Sequence, residues 1–177
     1  MSNQTSNLSC TPSKEEEEYM IKDIIDENGI FDYYYLQDGR EVKVIAVDQD
    51  HYILNYSTGI ALEFTEVRQN IVLIDKDLVF YVENNKYAQF VIEHELGHVF
   101  FYHGREGTGI LDRTRKEYEA NMYALSKLGK RKTINFFKAG VKNYMLASFR
   151  PDKENKKELM ACFWSDLVSY YTAKYRY

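Results

Sequence analysis

The apolar positions of this chain change their period twice, and the changes divide it into a helical start, a strand-rich middle and a helical remainder. Met20, Ile21, Ile24 and Ile25 recur at the 3.6-residue spacing of one helical face. Ahead of them, Thr11-Pro12 reads as an N-cap followed by proline at the first helical position. The acidic residues 15–18 suit the positive end of a helix, and Asn28-Gly29 supplies a stop. A first helix is predicted over about 12–28, with the glutamate run as its solvated start. The period then shortens in EVKVIAV (41–47), HYILNY (51–56), GIALEF (59–64) and NIVLID (70–75), which are rich in β-branched and aromatic residues. These predict three or four short, mainly antiparallel strands. Asp48-Gln49-Asp50 and Ser57-Thr58-Gly59 fit hairpin turns, residues 66–69 leave the next boundary open, and His51 falls on a strand with no chemical role.

From Asn84 the pattern becomes helical again. Phe90, His94, Gly97, His98 and Phe101 share one face of a helix predicted to run to about Tyr102, while Tyr87, Val91 and Leu96 cover the adjacent surfaces. Such a helix is apolar nearly all round and belongs between the sheet and other helices. Gly97 costs it ~1 kcal/mol of helix propensity, which predicts that something packs closely there, the sheet or another helix. The segment GREGTGILD (104–112) reads as a loop. Helices are predicted over 114–128, from 133 to about 147 and from 155 to about 175, the last two separated near Arg150-Pro151-Asp152. There is no internal repeat. The expected organisation is a mobile polar leader over residues 1–11 and a single domain over 12–177 with a C-terminal helical extension.

Composition narrows the function classes. A chain of 177 residues can bury roughly two-thirds of its unfolded surface without disulfides or metal. With 23 Lys and Arg against 27 Asp and Glu, the formal charge of −4 offers no electrostatic footprint for nucleic acid. The basic cluster of Lys127, Lys130, Arg131 and Lys132 reads as a solvated helix end. Two cysteines, Cys10 and Cys162, suit a reducing compartment, and neither stands among candidate ligands. The N-terminal residues lack an apolar core of signal-peptide length, and no segment approaches ~18 uninterrupted apolar residues. A cytoplasmic protein with no membrane contact is expected.

The chemistry concentrates in HELGH, His94 to His98. Positions i and i+4 of a helix lie on the same side, so both imidazoles can reach one Zn²⁺ at ~2.0–2.1 Å. Glu95 lies about 100° further round, where it can take a proton from water without ligating the ion. Two of the chain's four histidines take this spacing inside an apolar helix, which favours a metal site over two satisfied core histidines.

A catalytic zinc keeps three protein ligands and one open position. The pattern HExxHxxGxxH requires glycine at 101 and histidine at 104, but the chain has Phe101 and Gly104. His103, near the predicted helix end, reads as a cap or a lining of the cleft. The alternative is a second helix on which EYEAN presents Glu117 and Asn121 at i and i+4. Glu117 is therefore the expected third ligand, with Glu119 as the runner-up. Asn121 is expected to hold a ligating ring in its correct tautomer.

FVIEHELGHVFFYH (90–103) together with EYEANMYA (117–124) resembles the ImmA/IrrE family of zinc metallopeptidases, and the likeness extends over about residues 40–128. The resemblance implies an α+β, minimal zincin-like domain: a small sheet packed against the HExxH helix, a third-ligand helix and further C-terminal helices. It also implies a cytoplasmic gluzincin that cleaves a protein substrate, a transcriptional repressor or another regulator. Two departures stand out. The chain reads ALSKLGKRKT from Ala124, where many members carry an LLMP-like segment, and no helix-turn-helix is evident. The expected function is thus a one-zinc endopeptidase with Glu95 as general base and His94, His98 and Glu117 as ligands. The alternative is a metal-containing regulatory protein that acts by association.

Overall fold

The computed structural model describes residues 12–54, 57–79, 86–105, 109–148 and 156–176. Within them the chain is α+β, a four-stranded mixed sheet with six helices. The leader and Cys10 lie outside the described residues.

Helix α1 (Lys14–Asn28) begins later than the Thr11-Pro12 reading places it, because Ser13 is the cap. Its Oγ accepts the Glu16 N–H at 3.3 Å and the Glu16 carboxylate accepts the Ser13 N–H at 2.7 Å. This reciprocal box satisfies two otherwise orphaned donors. The glutamate run is also not uniformly solvated. Glu17 is buried, and its carboxylate accepts the backbone N–H groups of Thr65, Glu66 and Val67 at 3.2, 2.8 and 3.1 Å. These donors sit at a tight turn where Arg68 adopts a positive φ of 55°, and a buried carboxylate supplies the acceptors that the strand ladder does not.

The strands are β1 (Asp32–Tyr35), β2 (Glu41–Val47), β3 (Gly59–Phe64) and β4 (Gln69–Asp75), in the order β1-β2-β4-β3. β1 and β2 are antiparallel, as are β3 and β4, whereas β2 and β4 run parallel with Val42 opposite Asn70 and Val47 opposite Asp75. One expectation is corrected. Residues 51–54 of HYILNY form turns, with the His51 N–H on the Asp48 carbonyl and the His51 Nδ1 accepting the Ile53 N–H at 3.3 Å. Leu54 nonetheless packs with Ile21 and Ile24, so the apolar content that mimics a strand is an anchor for this connection. The strand β1 was not predicted, because DYYY is an edge strand with no buried residue and so carries no alternation.

β4 buries five consecutive residues because helices cover both of its faces. Ile71 and Leu73 pack with Ile45, Val47 and α1, while Val72 and Ile74 pack with Val42, Val44 and the helix α3 (Lys86–Phe100). A short α2 (Lys76–Val79) follows β4. Beyond α3 come a 3₁₀ turn (His103–Arg105), α4 (Ile110–Leu128), α5 (Lys130–Ser148) and α6 (Lys156–Arg176). α4 starts four residues before the predicted position and absorbs the end of the GREGTGILD loop. The proline break near residue 151 lies outside the described residues. Lys127, Lys130, Arg131 and Lys132 are exposed. No described helix is long and apolar enough to cross a membrane.

Candidate metal centre

α3 runs between the sheet and α4, and Gly97 sets its distance from α4. A Cβ built at Gly97 would lie 2.9 Å from both the Ala120 Cα and the Tyr123 Cβ. The close neighbour anticipated from the glycine is thus the helix that carries Glu117. Because the obstructing atoms belong largely to backbone, they have little room to give. The approach brings one turn of α3 against one turn of α4.

Three side chains converge there. The His94 Nε2 lies 3.1 Å from the His98 Nε2 and 3.2 Å from a Glu117 carboxylate oxygen, whose other oxygen lies 3.6 Å from the His98 Nε2. Four donors around an ion at ~2.0–2.1 Å stand about 3.3 Å from one another, so these residues fit a small ion with tetrahedral ligands. Among the described residues, His94, His98 and Glu117 are the one group of three that could hold a metal. Glu119 is not part of it.

Each histidine is held on its far side. The His94 Nδ1 is 3.0 Å from the Asn121 Oδ1, and the Asn121 amide nitrogen shares its two hydrogens among Ser165 Oγ at 3.1 Å, Asp166 Oδ1 at 2.9 Å and Ser169 Oγ at 3.2 Å. Three oxygens facing the amide nitrogen assign its orientation. The Asn121 Oδ1 therefore accepts the His94 Nδ1–H and leaves Nε2 as the ligating atom. The involvement of α6 was not read from the sequence, since Ser165, Asp166 and Ser169 lie more than 40 positions from Asn121 and follow no ligand spacing.

His103 does not cap α3. That role belongs to Arg40, whose guanidinium donates to the Val99 carbonyl at 2.7 Å and the Phe100 carbonyl at 2.9 Å and lies 4.0 Å from the Tyr102 ring centroid. A fixed fork of donors satisfies the last carbonyls of a helix better than one imidazole. Tyr102, with φ 57°, then turns the chain, and the buried His103 faces inward against His98.

The electrostatics fit a site that holds either a proton or a cation. Burial works against a charged His94, but its hydrogen bond to Glu117 and the Glu117 charge outweigh this and carry it up to about 9. Burial raises Glu117, yet its hydrogen bond to His94 and the nearby imidazoles bring it down to about 2. Burial and the His94 charge push His98 down to about 3. Without a metal, a proton on His94 thus bridges to Glu117, and a metal ion competes for that place.

Glu95 is buried against the edge strand β3. A Cβ at Gly59 would lie 2.9 Å from the Val91 Cγ1 and 3.0 Å from the Glu95 Cγ, so glycine lets the strand close over the carboxylate. Burial pushes the Glu95 carboxyl up to about 7, while a hydrogen bond from the Ala61 backbone works against the rise. A carboxyl poised near neutrality can both take up and release a proton. Comparison with protein-family models, with curated proteins and with solved structures found no match for this chain.

Proposed function

We propose that this protein is a cytoplasmic zinc endopeptidase of the ImmA/IrrE type with a zincin-like fold, binding one Zn²⁺ through His94, His98 and Glu117. The observation that carries the reading is the convergence of those three donors beside the buried Glu95 carboxylate. Two imidazoles and one carboxylate with an open side are a donor set for catalytic zinc. When bound, zinc polarises a carbonyl and makes water more acidic. Glu95 accepts the proton from the attacking water and returns it to the leaving amine as the peptide bond breaks. Asn121 holds His94 in the required tautomer. The adjacent edge strand β3 offers backbone groups to an extended peptide, which supports a protein substrate over a small molecule. The substrate class, a transcriptional repressor or another regulator, rests on the family resemblance.

A second reading, regulation by association without cleavage, draws on the exposed α6 side chains Trp164, Val168, Tyr171 and Tyr175. Glu95→Gln separates the two. The variant should bind zinc like the wild type and lose at least ~10³-fold of its cleavage rate on a proteome-derived peptide library read by mass spectrometry. Equal cleavage by both proteins, or none by the zinc-loaded wild type, would overturn the enzymatic reading.

A further inference from the structure

On the far side of His98 lies a second hydrogen-bonded chain that the ligand pattern does not account for. The His98 Nδ1 is 2.8 Å from the His103 Nδ1, and the His103 Nε2 is 2.8 Å from the Glu119 Oε2. Arg115 reaches both oxygens of Glu119 at 3.0 and 3.1 Å, and it is itself held by Asp112 at 3.0 Å.

The contacts of this chain constrain where its protons lie. The Glu119 carboxylate only accepts, so the His103 Nε2 carries the hydrogen. A neutral His103 then has a bare Nδ1, which can only accept, so the hydrogen between the two rings belongs to the His98 Nδ1. The His98 Nε2 is left with its lone pair aimed at His94 and Glu117. With His103 neutral, any other arrangement places two hydrogens or two lone pairs face to face at 2.8 Å.

We infer that His103 and Glu119 form a relay that fixes the tautomer and ring orientation of His98 for metal binding, making His103 a positioning residue rather than a ligand. The inference rests on the metal-centre reading above. It also gives the two histidines independent supports. His94 is held through Asn121 by α6, whereas His98 is held through His103 by the N-terminal half of α4.

The test is zinc affinity by chelator competition, with the visible spectrum of the Co²⁺-loaded protein as a second readout and melting of the metal-free protein as a control for folding. His103→Phe and Glu119→Ala should each weaken zinc binding about 10–100-fold and alter the Co²⁺ bands. Glu119→Gln should stay within about 3-fold of wild type, because its amide oxygen still accepts the His103 hydrogen. The His103→Phe/Glu119→Ala double variant should bind no more weakly than His103→Phe alone, since the links act in series. Adding Asn121→Ala to His103→Phe should instead multiply the losses.

Wild-type affinity and spectrum in a folded His103→Phe would overturn the relay, as would losses that multiply between His103→Phe and Glu119→Ala. If His103→Phe does not fold, the Glu119 pair decides: equal losses in Ala and Gln overturn the relay, and rescue by Gln supports it. A wild type that takes up no zinc removes the metal-centre reading itself, whereas one that binds zinc while the variants bind equally removes only the relay.

Discussion

α3 is held on its two sides by different physics. Toward the sheet, Val91, Ile92, Leu96 and Val99 meet Val42, Val44, Val72 and Ile74, an apolar contact with Glu95 as its polar exception against β3. Toward α4, His94 and His98 meet Glu117 and Asn121, behind which stand Ser165, Asp166 and Ser169 of α6, and much of this polar surface is buried. Apolar contact is non-directional and depends on area and fit. The polar side depends on the position of each donor and acceptor, and an unpaired buried group there is costly. One side of the helix thus sets where it lies, and the other sets what its side chains can bind.

The sharpest way to break this comparison is to remove apolar volume from the sheet. Ile45 is fully buried on the α1 face, away from the metal centre, and Ile45→Ala should cost about 2–5 kcal/mol in urea unfolding. The loss should be the same with zinc and with chelator, because zinc binding adds to the stability of either protein equally. A loss that depends on zinc would show that the sheet and the centre are not separable in this way.

The same contrast explains what could be read in advance. His94, Glu95 and His98 share one turn, and Glu117 and Asn121 share another, so their grouping follows from helical spacing. The strands β2, β3 and β4 were legible because β-branched residues cluster in them. Partners of Asn121 on α6, the Glu17 carboxylate under the β3–β4 turn and the Arg40 cap on α3 were not legible, because they join segments 40 to 60 positions apart. No local period marks such pairs. Glu17 was hidden among glutamates that are exposed, and His103 carried two readings until the turn at Tyr102 fixed its direction.

A smaller effect should expose the polar side through pH. Burial pushes the Asp166 carboxyl up to about 7, against the pull of its hydrogen bond from Asn121. An acid whose pKa is raised on folding stabilises the folded chain most below its unfolded value, and that contribution is lost as pH rises through the folded value. The Asp166 contribution to metal-free stability should therefore fall between pH 4 and about 7, with Glu95 acting in the same direction and the depressed His98 in the opposite one. A full shift of this kind is worth at most ~4 kcal/mol, and water reaching a partly exposed carboxylate brings the expected loss to on the order of 2 kcal/mol. Asp166→Asn keeps an acceptor for the Asn121 amide and should remove the Asp166 share, leaving that of Glu95. Urea midpoints of the chelated proteins at pH 5 and pH 8 would measure it, and identical pH profiles for wild type and variant would contradict the assignment.

The seam between the two sides offers the smallest change in stability and a sharp test of the comparison. Gly97→Ala gains ~1 kcal/mol of helix propensity, but the added methyl would stand 2.9 Å from the Ala120 Cα. Overpacking of this kind costs about 1–3 kcal/mol, so the net loss in metal-free unfolding should be near ~1 kcal/mol. Relief requires α3 and α4 to move apart, which carries Glu117 away from His94 and His98. Their donor atoms now lie 3.2 and 3.6 Å apart, and directed ligands tolerate such a displacement less than apolar contacts do. Zinc affinity should consequently fall by more than the ~1 kcal/mol lost from metal-free stability, roughly tenfold or beyond. Equal losses in the two measurements would mean that the helix spacing supports the fold alone, with no separate demand from the metal centre.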